Sequence, residues 1–213
     1  MAGKVLSIET RFGSVGLNDQ RNAFGDPIED FGKAIEAEAR GEFEIAIDYY
    51  TKIINAGEVG GDNLAVIYSN RASIYSVSGQ SDKALADFGE ALRLSPEDAV
   101  TYANRGAHYE QLKQYDRAIQ DYDEAIRLDP KDPLAYNNRC YVLLILDRAQ
   151  EALLDCNAAL VLDPENPIII HTLGNAYEAL GETERAAQEY ERALEIAPDF
   201  EPARESLEKL KPR

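Results

Sequence analysis

Tryptophan is absent from the 213-residue chain, methionine occurs once, and cysteine and histidine occur twice each. Two cysteines argue against a scaffold stapled by several disulfides, and no paired Cys-x-x-Cys knuckle offers a zinc site. Long apolar runs are also missing. No stretch approaches the roughly 20 residues of a membrane span, so membrane insertion is not expected. Positive charge is scarce, with 22 Lys and Arg against 39 Asp and Glu, a net charge of −17. A chain so acidic repels phosphate backbones and anionic headgroups, which argues against nucleic acid as a partner. The stretch from Met1 to Gln20 lacks the basic-then-apolar profile of a signal peptide. With Met1 as the native start, the cytoplasm is the expected compartment; removal of a leader would make it the periplasm.

Catalytic patterns are missing too. Gly57, Gly60 and Gly61 lack the lysine and hydroxyl residue that end a phosphate loop. There is no Gly-x-Ser-x-Gly elbow and no His-Glu-x-x-His. Acid pairs such as Asp123–Glu124 fall between apolar stripes and read as solvated surface. His108 and His171 have no helical i, i+4 partner, so no metal site is expected from them. The sequence therefore implies neither enzyme nor cofactor.

What the chain does have is 45% apolar residues, enough for a sizeable core, and a strict internal period. Pro96, Pro130, Pro164 and Pro198 stand at equal intervals. Alanines keep the same register at Ala84, Ala118, Ala152 and Ala186, and again at Ala91, Ala125, Ala159 and Ala193. A small residue recurs at Ala72, Gly106, Cys140 and Gly174; a mostly aromatic slot holds Phe88, Tyr122, Cys156 and Tyr190. Self-similarity at a period of about 34 residues marks stacked supersecondary units.

Within one unit, Tyr102, Gly106 and Tyr109 stand at i, i+4, i+7, and Tyr115, Ala118, Ile119, Tyr122, Ala125 and Ile126 form a second helical stripe. The polar Lys113–Gln114 stretch between the two is too short for anything except a tight turn, so the helices fold back on each other as a hairpin. Gly106 and Ala118 are small enough to let the backbones approach. Asp26-Pro27, Asp132-Pro133 and Asn166-Pro167 each set a capping side chain before a first-turn proline. Glu29 completes a capping box after Asp26. Pro130, Pro164 and Pro198 end the preceding helices.

These residues resemble the tetratricopeptide repeat (TPR) family. The resemblance implies an all-α fold, a right-handed α-α superhelix of antiparallel hairpins with the second helices on its convex side. Full repeats are expected at 65–98, 99–132, 133–166 and 167–200. A first repeat at 27–64 lacks the closing proline and carries extra residues in its glycine-rich end, Ala56 to Asn63. Residues 201–213 read as a capping helix, with Leu207 and Leu210 on one face. Residues 1–26 read as a flexible N-terminal extension.

The resemblance places one slot, Asn70, Asn104 and Asn138 with Thr172 as its fourth member, on the concave surface. A carboxamide donates and accepts, so a ladder of three could hold an extended peptide by its backbone. Tyr141, His171 and Asn175 would add side-chain contacts, His171 in a pH-sensitive way, along a wall read as largely uncharged. The function expected is a non-catalytic scaffold for a protein or peptide partner. The net charge favours faster association of cationic partners at low salt. Two other readings stand beside it. One is self-association into a homo-oligomer through the N-terminal or C-terminal segment.

The other is capture of a chaperone tail, because Tyr68-Ser69-Asn70-Arg71-Ala72 resembles the second-repeat motif of co-chaperone TPR domains. The groups such a grip needs are absent: Val100 and Asn104 stand where basic residues are required, and Phe31 and Ile35 where the first helix should supply a lysine and an asparagine. Arg71, Arg105 and Arg139 precede Asp87, Asp121 and Asp155 by one shared interval, just under half a repeat, which can pair them across a hairpin. As partly exposed ion pairs they are expected to contribute no more than about 1 kcal/mol each. Cys140 and Cys156 fall in the small and the aromatic slot of one hairpin. They are expected as core thiols, with a disulfide only if their Cα atoms come within about 7 Å.

Overall fold

The computed structural model describes residues 26–210. All of the expected N-terminal extension except Asp26, and the last three residues of the expected capping helix, lie outside the described residues. Among the described residues there are eleven α-helices and no strand. The chain divides into two compact units, Met1–Pro96 and Glu97–Arg213.

The first unit contains two hairpins: α1 (Pro27–Ala39) with α2 (Phe43–Ala56), and α3 (Gly61–Val77) with α4 (Ser81–Leu94). Its core gathers Phe31, Ala34, Ala46, Tyr50, Ile53, Ile67 and Ile74. The second unit contains three hairpins and a closing helix. These are α5 (Ala99–Gln111) with α6 (Tyr115–Leu128), α7 (Pro133–Ile145) with α8 (Ala149–Leu162), α9 (Pro167–Ala179) with α10 (Thr183–Ile196), and α11 (Glu201–Leu210). The α11 helix covers the last hairpin by burying Ala203 and packing Leu207 and Leu210 against Ala186, Tyr190 and Ala193. A terminal hairpin of a stack needs such a cover, because it cannot bury its apolar face alone.

The expected side-chain caps form at the starts of α1, α7 and α9. Asp26, Asp132 and Asn166 each accept a hydrogen bond from the backbone N–H two residues on, at 2.9, 2.9 and 3.1 Å. Glu29 ion-pairs with Lys33 one turn on. The α3 helix departs from the register. It starts at Gly61 and runs 17 residues, against 13 in each first helix of the second unit. No proline marks its start, so the chain continues as helix through Asp62 to Leu64, residues that the repeat period assigns to the first repeat.

The turn inside each hairpin uses one left-handed residue at a fixed position: Gly41, Gly79, Lys113, Asp147 and Gly181. Glycine adopts this conformation freely; Lys113 (φ 58°) and Asp147 (φ 57°) adopt it at a steric cost.

The close contact between the helices of a hairpin is solved in three ways. In α5/α6 and α9/α10 a glycine faces a tyrosine ring. A Cβ on Gly106 would lie 2.9 Å from the Tyr122 ring, and one on Gly174 would lie closer still to Tyr190. In α1/α2 and α3/α4 an alanine meets the ring, Ala34 with Tyr50 and Ala72 with Phe88. In α7/α8 there is no ring. Cys140 and Cys156, expected as thiols, are instead joined in a disulfide, with their Cα atoms 5.7 Å apart and both side chains fully buried. The same sequence separation, 16, brings the two slots face to face in every hairpin, so two cysteines placed there fall within bonding reach.

Candidate functional site

Three first helices of the second unit lie side by side, α7 packing next to both α5 and α9. On α7, Leu134, Asn138, Tyr141 and Ile145 follow i, i+4, i+7, i+11 and so share one stripe. Three of them are large apolar side chains left open to solvent, Leu134 at 42%, Tyr141 at 44% and Ile145 at 39% exposure. Val100 and Ile168 are open at the equivalent positions of α5 and α9. Several large apolar residues aligned on one face can receive a partner, although Leu154 and Val161 on α8 are more exposed still.

The predicted carboxamide row is not uniform. Asn104 is exposed and Asn138 half-buried, and among the described residues neither has a hydrogen-bond partner. Asn70, in the first unit, donates instead to the hydroxyl of Tyr50 at 3.4 Å. Thr172, the fourth member, is buried and turns its hydroxyl back to the Ile168 carbonyl at 2.8 Å.

His171 faces the closing helix. Its Nε2 lies 3.1 Å from Ser206 Oγ, and its ring packs against Tyr190 and Phe200. Burial holds its pKa below the ordinary 6.5. Of the six predicted residues, Asn104, Asn138, Tyr141 and Asn175 therefore belong to three neighbouring helices of one unit. Asn70 is tied to its own unit's core, and His171 is tied to α11.

A further set of groups emerges that the reading of an uncharged wall omitted. In three hairpins the ring in the aromatic slot is a tyrosine, and its hydroxyl reaches a glutamate twelve residues earlier on the first helix. Tyr50 donates to Glu38 at 3.1 Å, Tyr122 to Glu110 at 3.1 Å, and Tyr190 lies 2.7 Å from Glu178. The Asn175 side chain also sits 2.8 Å from the Tyr190 hydroxyl. With its amide nitrogen toward the phenol, it would donate to the oxygen while the phenol donates on to Glu178. Burial, the largest cause, raises the carboxyls of Glu38 and Glu110 above their ordinary 4.5, opposed by the phenol's hydrogen bond. Burial also raises the three phenols, so they stay protonated donors.

The recurrence was readable. Glutamate stands at this offset in the three hairpins with a tyrosine, whereas Phe88 and Cys156, which have no hydroxyl, meet Ser76 and Leu144 there.

The arginine row is structural, as its spacing suggested. Arg71, Arg105 and Arg139 each grip their aspartate with two guanidinium nitrogens at 2.6 to 2.9 Å. Arg71 also donates to Thr51, and Arg139 also reaches Asp123. Arg105 and Asp121 are only 22% and 7% exposed. These are bidentate, largely desolvated pairs, so breaking one costs more than the surface figure that spacing alone implied. Among the described residues no group of His, Cys, Asp and Glu could hold a metal ion. No described helix is long and apolar enough to cross a membrane.

Tandem helix hairpins of nearly constant length, with a small-aromatic contact in most and a closing helix, define an all-α superhelical-repeat class of protein. Comparison with known proteins agrees. The tetratricopeptide repeat models match residues 65–98, 99–132 and 167–200. The chain belongs to the tetratricopeptide repeat family. Among solved structures it is similar to the second TPR domain of human RPAP3 in complex with the HSP70 peptide SGPTIEEVD. The identity is 30%, covering 54% of this chain and 96% of that one, with a TM-score of 0.52. It shares its fold with TTC0263, a thermophilic TPR protein of Thermus thermophilus (18% identity, 87% and 98% coverage, TM-score 0.69). It also shares it with YrrB, a TPR protein (23% identity, 86% and 92% coverage, TM-score 0.65). No curated protein matches the chain.

Proposed function

We propose that the protein is a non-catalytic interaction scaffold that holds an extended peptide segment on the open face of α5, α7 and α9. The observation that carries this reading is the α7 stripe: three exposed apolar side chains flanking Asn138, with Asn104 beside it on α5, both carboxamides free of partners among the described residues. Each amide can pair with one backbone peptide group of a bound segment. Tyr141 offers a rigid, amphipathic anchor. The human RPAP3 domain, at 30% identity, is in complex with a peptide, which supports a peptide as the partner. Its peptide is rich in carboxylates, however. This chain has no cation at the positions that would supply one, Phe31, Val100 and Asn104, and Phe31 is buried in the core.

The test is selection of a random peptide library on the full chain, with binding of the selected peptides measured on an Asn104→Ala, Asn138→Ala, Tyr141→Ala variant. Weakening of tenfold or more is expected, with helical signal and melting temperature unchanged. Equal affinity in the folded variant refutes the reading.

The Cys140–Cys156 bridge favours the periplasmic alternative over the cytoplasm, since such bonds persist in oxidising compartments. Free thiols trapped in the intact source cell would refute that placement.

A further inference from the structure

The first helices of the second unit carry little charge, and how it is committed says what the face can receive. There is no lysine on α5, α7 or α9. Their two arginines, Arg105 and Arg139, are locked to Asp121 and Asp155. His108 is buried and His171 is held by Ser206. What remains are two carboxylates, Glu110 on α5 and Glu178 on α9. Among the described residues no lysine, arginine or histidine ion-pairs with either, although most ion pairs elsewhere on the chain join neighbours one helical turn apart. Both are fixed by phenols, Tyr122 and Tyr190, that are themselves wholly buried. A carboxylate anchored in this way keeps its second oxygen available and loses little freedom on meeting a cation.

We infer that the segment bound on this face is cationic, with two Lys or Arg side chains meeting Glu110 and Glu178 and an apolar stretch between them lying on Leu134, Tyr141 and Ile145. This rests on the peptide-binding reading above and names its partner class. The spacing follows from geometry. Neighbouring packed helices stand about 8–10 Å apart, so α5 and α9, on either side of α7, are separated by roughly 16–20 Å. An extended segment rises about 3.3 Å per residue, which puts the two cations about five or six residues apart. This partner is opposite in sign to the HSP70 peptide of the RPAP3 domain. The raised carboxyl of Glu110 agrees with it, because an arriving cation would relieve a desolvation that no cation of the chain now relieves.

The experiment uses the full chain and the peptides selected from the random library. The expected enrichment is Lys or Arg at two positions five or six apart with apolar residues between. Synthetic copies of the selected peptides with both cations replaced by Gln should bind about tenfold more weakly at low salt, as should Glu110→Gln/Glu178→Gln with the unmodified peptides. Glutamine keeps the acceptor for each phenol, so this variant should fold normally. Selected peptides that are neutral or acidic yet depend on Tyr141 would overturn the charge assignment and leave the peptide-binding reading standing. So would cationic peptides indifferent to the two Gln substitutions. Selected peptides indifferent to Tyr141→Ala, Asn104→Ala and Asn138→Ala would overturn both.

Discussion

Reducing the Cys140–Cys156 bridge opens the one hairpin, among the described residues, that has no aromatic ring between its helices. The bond closes a loop with a sequence separation of 16. By the chain-entropy relation a loop of that length restrains the unfolded state by about 3 kcal/mol. For a chain of this size, with about 2–4 °C per kcal/mol, that corresponds to a fall in melting temperature of about 6–12 °C. The comparison variant is Cys140→Ala/Cys156→Phe, which copies the Ala72–Phe88 contact of α3/α4. Glycine and tyrosine would be the wrong pair here. Leu144 stands where three other hairpins offer a glutamate, and a buried phenol would lose its acceptor. The assay is guanidinium unfolding followed by far-UV circular dichroism, with and without a phosphine reductant, and thiol counting to confirm reduction. Wild type should lose about 3 kcal/mol on reduction, and the Ala/Phe variant should be indifferent to the reductant. A fully reduced wild type with an unchanged midpoint would refute the assignment of that slot to a covalent rather than a packing contact.

Three other outcomes follow from named contacts. Lys113→Gly should stabilise by about 0.5–1 kcal/mol in thermal melts, since glycine removes the left-handed strain but adds unfolded-state freedom; Asp147→Gly should gain less, aspartate being more tolerant of that conformation. Arg105→Ala should cost about 2–4 kcal/mol because it strands the buried Asp121 carboxylate, and adding Asp121→Ala should restore part of the loss in a double-mutant cycle. Burial raises the Glu38 and Glu110 carboxyls, so folding favours their protonated forms. That contribution is full below about 4.5 and is lost as pH rises through the raised values. Glu110→Gln should therefore raise the unfolding midpoint at pH 7 and lose this advantage by pH 4; a constant difference across that range would exclude the linkage.

The parts of the fold written in local chemistry were legible in the chain. Asp26, Asp132 and Asn166 cap because their side chains precede a proline, and Gly106 faces a ring because nothing larger fits. Features that depend on where two helices meet were harder to read. The spacing of Cys140 and Cys156 allowed either thiols or a bridge, and the choice turned on a Cα separation that only the packed hairpin supplies. The extra turn of α3 was hidden by glycines that ordinarily stop a helix, though here Gly61 begins one. The asparagine row shared a register but not an environment: Asn70 meets the Tyr50 hydroxyl while Asn104 does not meet a partner among the described residues. The tyrosine–glutamate pairs could have been found from their constant offset along the chain. They were missed because the glutamates sit among a surplus of acids, where one more carboxylate attracts no notice.

The same bridge has a mechanical meaning. A chain pulled from its two ends would pay out freely through α5 and α6 and through α9 and α10, but the segment between the two sulfurs bears no tension while they are bonded. Its fully extended length, at about 3.5 Å per residue and less the 5.7 Å already spanned, leaves about 50 Å of contour locked away, released only on reduction.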